Sequence, residues 1–276
     1  MVCFISWQMA WCILINTTPK YMPLAEVQVA CIRRYAPNLK EVPIFLATEV
    51  GLQDHYVHAI LESKNTHYIS LQKEEAGFIE SRIAATAYLP EEYEFVLPLQ
   101  EDFWLDRAPD YSLLNEALEI MKAGANVQSV RLMPSPGPNR ADKVYKGLWR
   151  IISDMDQYKF TFQATLWRRN QYQGYLEAVL KSASKDFKES GLPEKDWAKF
   201  CVRINVAENL KGQATFSKVC MDSNKLHLAI ERRGPQPNAV FLAPWPYRPT
   251  AVVQGKLEPW ALEFASREGF NLNGWN

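Results

Sequence analysis

Phe95-Val96-Leu97-Pro98-Leu99-Gln100-Glu101-Asp102-Phe103-Trp104-Leu105 is an unbroken apolar run that turns polar, then acidic, and then aromatic. Apolar residues without alternation are the mark of a strand buried on both faces, as in a parallel sheet covered by helices. With Tyr93-Glu94 ahead of it, the run predicts a central strand over 93–99. Pro98 removes a ladder donor, so an irregularity is expected there.

The pattern extends in both directions. Upstream, Cys12 to Ile15 reads as a first buried strand ending in the polar loop Asn16-Thr17-Thr18-Pro19. Leu24, Val27, Ala30, Cys31 and Tyr35 then recur at helical spacing until Pro37. A second strand over 42–47 ends at Thr48-Glu49. A helix over 55–63, a strand over 67–71 and a helix over 78–89, closed by Pro90, complete the run-up. Downstream, Asp110 is the expected N-cap of a helix over 111–123 that stops at Gly124. Strands are expected over 127–133 and 160–167, a helix over 170–181, weaker strands over 201–206, 226–230 and 239–242, and a last helix over 259–267. Regular β/α alternation predicts an α/β fold, a parallel sheet with helices on both faces. Ligands of such sheets sit beyond the carboxyl ends of the strands. That rule points to Gln100-Glu101-Asp102.

Composition narrows the class. Among 276 residues, 47% are hydrophobic and 22% charged, in the range of folded globular chains. Lys plus Arg equals Asp plus Glu at 31 each, so no global field draws the chain to nucleic acid or an anionic membrane. Five scattered cysteines, none in a C-x-x-C arrangement, argue against a disulfide framework and a structural zinc, and fit a reducing, cytoplasmic setting. The apolar opening 1–15 lacks a basic n-region, is too short to span a bilayer, and is read as core sequence. No Walker-type loop, G-x-G-x-x-G, G-x-S-x-G or H-E-x-x-H occurs. The four histidines form no convincing ligand set.

Two carboxylates at a sheet edge suit a hard divalent ion, because Mg²⁺ or Mn²⁺ characteristically joins one or two carboxylates to substrate phosphates. The alternative is that Glu101 and Asp102 cap the next turn or pair with Arg107 on the surface.

The strand with its acidic pair and Phe-Trp-Leu, the helix around Phe78 and Arg82, the segment Phe162-Gln163-Ala164-Thr165-Leu166-Trp167-Arg168-Arg169, and Val253-Gln254-Gly255-Lys256-Leu257 together resemble GT-A-type glycosyltransferases. The resemblance is to small soluble nucleotide-sugar transferases of bacteria and large algal DNA viruses, and spans Ile13 to Leu257. It implies a single GT-A-like domain with a Rossmann-type mixed sheet. Residues from about 10 to 135 would form the nucleotide-sugar half, and those from about 136 to 276 the acceptor side. The implied reaction is metal-assisted, inverting transfer of a hexose or a pentose such as xylose from a UDP-sugar to a glycan hydroxyl, with Mn²⁺ or Mg²⁺. The alternatives are a sugar-phosphate nucleotidyltransferase and a non-catalytic glycan-binding protein.

By that resemblance Thr17, Thr18, Tyr21 and Glu49 line the nucleotide pocket, with Tyr21 stacking on the base. Arg82 and Lys256 sit by the diphosphate, and Trp167 meets the acceptor. The family's Asp-x-Asp element is here Gln100-Glu101-Asp102. Asp102 alone therefore keeps the usual metal-binding carboxylate, Glu101 supports the donor, and Gln100 can accept a hydrogen bond from ribose. Inversion needs a carboxylate to take the acceptor's proton. Glu189 is the first choice, then Asp186, with Glu194 and Glu208 behind them. Against this, 181–199 also reads as a solvated helix face.

Overall fold

The computed structural model describes residues 10–49, 65–71, 77–134, 143–153, 160–193, 224–234, 242–248 and 250–275. The expected helix over 55–63, the expected strand over 201–206, nearly all of that over 239–242, and Cys3, Cys201 and Cys220 lie outside them.

Nine strands form one mixed sheet. Along the chain they are β1 (Trp11–Thr17), β2 (Ile44–Thr48), β3 (Thr66–Ser70), β4 (Phe95–Gln100), β5 (Val127–Arg131), β6 (Val144–Lys146), β7 (Trp149–Ile151), β8 (Thr165–Arg168) and β9 (Leu226–Ile230). Their spatial order is β3-β2-β1-β4-β8-β5-β9-β7-β6. The first four are parallel, β8 runs against both β4 and β5, and β9 is parallel to β5. This is the expected α/β architecture with a mixed sheet. A separate hairpin joins β10 (Val252–Val253) to β11 (Lys256–Leu257).

Among the described residues five α-helices cover the faces: α1 (Met22–Tyr35), α2 (Phe78–Ala87), α3 (Tyr111–Ala123), α4 (Arg169–Ser190) and α5 (Pro259–Arg267). Alternation along β1 and β4 sends side chains to two cores. Trp11, Ile13, Ile15, Phe95, Leu97 and Leu99 pack in one with residues of α1, α3 and α5. Cys12, Leu14 and Val96 pack in the other with residues of α2 and α4. Both Cys12 and Cys31 are buried free thiols, and burial pushes both well above the ordinary thiol value.

Several sequence expectations change. β4 keeps an unbroken register with β1 through Leu14↔Pro98, so the expected irregularity is absent. Phe95 donates its N–H to Ala10 in the β1 direction. Two residues per period later the same edge is used again, so the ring of Pro98 faces the β8 side, where the ladder has already stopped at Val96↔Trp167. The strand over 160–167 shortens to β8 because Phe160 and Phe162 pack as a ring cluster before it. That over 127–133 stops at Arg131. The helix over 170–181 continues to Ser190, so the charged run is its exposed face, with Lys185 and Glu189 paired at 3.7 Å one turn apart. Gly124 ends α3 without a left-handed backbone; a Cβ there would meet Val127 Cγ2 at 2.9 Å, so it is a close-approach glycine.

Candidate functional site

Strand order reverses at β1, which has β2 on one side and β4 on the other. The crevice beyond the carboxyl ends of β1 and β4 is the topological switch point of the sheet. Register aligns Asn16 with Gln100 and Thr17 with Thr48, and Thr48 with Ser70, so these residues form one row along that edge. Past the row come Thr18 and Tyr21 after β1, Glu49 after β2, and Glu101-Asp102 after β4.

The aromatics after the acidic pair fix its turn. Trp104 donates its indole N–H to Glu101 O at 3.0 Å and Leu24 O at 3.1 Å, joining the turn to the start of α1. Its ring stacks on Phe264 of α5 with centroids 5.8 Å apart. Phe103 stacks on Tyr247 at 4.5 Å, and its carbonyl accepts from Gln28 Nε2 of α1 at 3.4 Å. Three elements thus pin a five-residue turn. A preorganised carboxylate pair is the result.

Asp102 is 7% exposed. Its Oδ2 accepts from the Thr250 hydroxyl and from the Val252 N–H at 3.4 Å, while its carbonyl accepts from Ala251 N at 3.2 Å. Burial raises the Asp102 carboxyl, and the Thr250 and Val252 hydrogen bonds oppose that rise. Glu101 is pushed up to about 7, first by burial and next by the charge of Asp102, with its own backbone and Arg82 pulling the other way. Arg107, the surface partner considered from sequence, instead binds Asp106 at 2.9 Å.

A buried cation and a phenol complete the surroundings. Arg82, 6% exposed, donates to Phe78 O at 3.0 Å. Its guanidinium lies 3.4 Å from the Phe78 ring centroid and 5.4 Å from that of Phe162. It lies close enough to Glu101 to lower that carboxyl. Tyr21 is raised by burial and then by the charges of Glu101 and Asp102, so its hydroxyl lies within electrostatic reach of the acidic pair. Trp275 meets Tyr21 edge-on at 5.3 Å and donates to Lys20 O at 3.0 Å. Lys256 is exposed on β11, opposite Val253 of β10. The four segments that carry the family resemblance are therefore linked: Phe162 lies on Arg82, Tyr247 stacks on Phe103 and donates to Gln163, and the β10–β11 hairpin binds Asp102.

Other expected residues sit differently. Thr17 is buried and donates to Thr18 O at 3.2 Å; Thr18, Glu49 and Gln100 are half-buried. Trp167 is corrected: at 1% exposure it packs against Phe160, Tyr172, Tyr175 and His227, so it is a core residue with no face for an acceptor. Asp186 and Glu189 are exposed on α4, and no described hydrogen bond or ion pair joins either to the acidic pair. Glu194 and Glu208 lie outside the described residues.

Three residues were not found from sequence. Asn16, 4% exposed, has an Nδ2 with no hydrogen-bond partner. It would have been visible only as a polar residue ending an apolar strand. Thr250 and Arg131 gave no local signal. Arg131 is 1% exposed at the carboxyl end of β5 and close enough to Tyr247 to act on it electrostatically.

No group of three His, Cys, Asp or Glu side chains converges among the described residues. The donor set still fits a Mg²⁺- or Mn²⁺-type ion, which takes one or two carboxylates and completes its shell with water and phosphate oxygens. Asp102 and Glu101 are the residues that could hold it. No described helix is long and apolar enough to cross a membrane.

No protein-family model and no curated protein sequence matches the chain. Solved structures are similar to it. The glycosyltransferase GlyE of Streptococcus pneumoniae TIGR4 matches with 12% identity and a TM-score of 0.47, covering 80% of this chain and 45% of that one. TarS 1-349 of S. aureus, in complex with UDP-GlcNAc, matches with 13% identity and a TM-score of 0.40, covering 63% and 47%. The 4-diphosphocytidyl-2C-methyl-D-erythritol synthase of Anaerococcus prevotii DSM 20548 matches with 13% identity and a TM-score of 0.41, covering 84% and 95%. The chain spans about half the length of the TarS 1-349 structures it matches. At such values the function of the site has to be read from this chain's own residues.

Proposed function

We propose that this chain is a glycosyltransferase that uses a nucleotide-diphosphate sugar, a UDP-sugar carrying a hexose or a pentose, and delivers the sugar with inversion to a glycan hydroxyl. The observation that carries this reading is the meeting of Tyr21, Arg82 and Glu101-Asp102 at the switch point between β1 and β4. A phenol, a buried guanidinium and two carboxylates match a base, a diphosphate and the ion that bridges to it.

In this reading Tyr21 stacks on the base, Thr17, Thr18 and Glu49 line its pocket, and Gln100 accepts from ribose. Arg82, held by its bond to Phe78 O, presents a fixed guanidinium to phosphate oxygens, a geometry that Arg suits. Lys256 adds a second cation from the hairpin. Mn²⁺ or Mg²⁺ on Asp102, with Glu101 beside it, would neutralise charge on the departing diphosphate. Glu189, with Asp186 as second choice, is assigned the removal of the acceptor proton. Both are open to solvent, so an acceptor can reach them.

Calorimetry of UDP-sugars against the protein, with Mn²⁺ and with chelator, tests the reading. Binding under either condition and slow donor hydrolysis with Mn²⁺ are expected; no nucleotide sugar bound under both conditions overturns it. Release of pyrophosphate from a nucleoside triphosphate and a sugar phosphate would move the assignment to a nucleotidyltransferase. Glycan binding without donor binding would leave a non-catalytic protein. Asp102→Asn should weaken donor binding by about tenfold or more, the scale of a lost charged hydrogen bond. Asp106→Asn is the control, compared per folded molecule, because Asp106 holds Arg107 and Arg248 together.

A further inference from the structure

The hairpin that carries Lys256 is not held to the sheet edge by packing alone. The segment that enters it, Thr250 to Val252, is bound to Asp102 at three points: the Thr250 hydroxyl and Val252 N–H on the carboxylate, and Ala251 N–H on the carbonyl. Two of these are backbone groups that any residue would supply. Thr250 is the one side chain among them. Its hydroxyl has a second acceptor, Val252 O at 3.0 Å, so its proton has a partner whether or not a ligand claims the carboxylate oxygen. The hairpin turn Gln254-Gly255 has positive φ at both residues, 51° and 77°, the tight two-residue geometry that fixes the register of Lys256 against Val253. A short, stiff hairpin thus transmits what happens at Thr250 to Lys256. At the chain's other end of the same segment, Ala251 O accepts from Glu258 N at 2.8 Å, closing the loop onto α5.

We propose that Thr250 is a positioning residue for the diphosphate of the donor: its hydroxyl couples the Asp102 carboxylate to the hairpin that carries Lys256. The acidic and basic sides of the site are then held as one unit. The inference rests on the nucleotide-diphosphate reading above and names a residue outside it. Truncating Thr250 removes the side-chain tie and leaves the two backbone ones, so the hairpin is loosened against Asp102 and Lys256 is less firmly placed. The charge of Lys256 is unchanged, but its contribution to binding is lost.

The test is a double-mutant cycle on UDP binding, measured by calorimetry with Mn²⁺ and with chelator in the full chain. Thr250→Val and Lys256→Ala should each weaken UDP by about tenfold, while the double variant should be hardly weaker than either single one. Thr250→Ser, which keeps the hydroxyl, should bind within about twofold of the parent. In the protein without ligand, hydrogen exchange at the Ala251 and Val252 amides should accelerate in Thr250→Val and not in Thr250→Ser. A purely structural role for Thr250 would leave the Lys256→Ala loss intact in the Thr250→Val background. Additive losses, or UDP binding by Thr250→Val at the parent's strength, overturn the coupling and leave the nucleotide reading standing. Failure of the parent to bind UDP under both conditions overturns both. Equal binding with Mn²⁺ and chelator removes only the metal from the proposed function, and the cycle still decides on Thr250. Should Thr250→Val not fold, Thr250→Ala takes its place in the cycle, with the same outcomes.

Discussion

At the carboxyl end of β1, Asn16 buries an amide Nδ2 that finds no acceptor among the described residues. A buried donor left unpaired costs on the order of 1–3 kcal/mol, and a ligand that accepted from it would relieve that cost. Asn16→Leu has the same number of side-chain heavy atoms and no donor. Its thermal midpoint is expected to rise, by an amount equivalent to about 1 kcal/mol, while UDP binding weakens. A melt and a titration on the same sample check both; unaltered UDP binding would show that the amide faces no ligand. Residues of this kind divide sharply in how well sequence exposes them. Asp102 could be picked out because it follows a recognisable strand end, whereas Tyr21 and Arg82 came only with the family resemblance. Thr250 could not, because its partner is 148 residues away and nothing around it is periodic. Trp167 misled because an aromatic in a resemblance segment looks the same in sequence whether it covers a ligand or fills a core.

Among the elements, α3 behaves as its caps dictate. Asp110 Oδ1 accepts from Leu113 N at 3.1 Å, as its position before the apolar periodicity requires. Asp110→Ala should lower stability by about 1 kcal/mol, read as a shift in denaturant midpoint. In α1, burial alone pushes Glu26 from an ordinary 4.5 up to about 7. Between those values the native chain keeps a proton that the unfolded chain has lost. The stabilisation is full below 4.5 and fades as pH rises through about 7. Glu26→Gln cannot lose that proton, so its melting midpoint relative to the parent should climb across this window. A constant difference would place Glu26 in water. Element existence was legible for α1, α3 and α5 because caps, prolines and 3.6-residue spacing agree. The reach of α4 to Ser190 was not, since an exposed charged face has little apolar periodicity and is held by Tyr172, Tyr175, Val179 and Phe187 on the other side.

For the molecule as a whole, the last helix is locked to the first. Glu268, its side chain 4% exposed, accepts from Tyr35 at 2.7 Å and pairs with Arg34 and, at 3.3 Å, with Arg267. Burial raises this carboxyl, but the hydrogen bonds from Tyr35, Arg267 and Arg34 outweigh it and hold it below the ordinary value. The resulting stability is present above the unfolded carboxylate value and lost as pH falls through the native one. Glu268→Gln should therefore melt earlier at neutral pH, by about 1–3 kcal/mol, and match the parent in acid; a difference that persists in acid would refute the linkage. From sequence alone, from which β6 and β7 were not read, came the order of the described strands and helices up to β5, the polar turn after β4, and the α/β class. These rest on local patterns of burial and capping that each segment carries by itself. Tertiary structure alone decided that β8 inserts antiparallel between β4 and β5, that Trp167 is core, and that Thr250 and Val252 close on Asp102. Those contacts join segments far apart in the chain, where side-chain shape and the geometry of the sheet edge, not periodicity, select the partner.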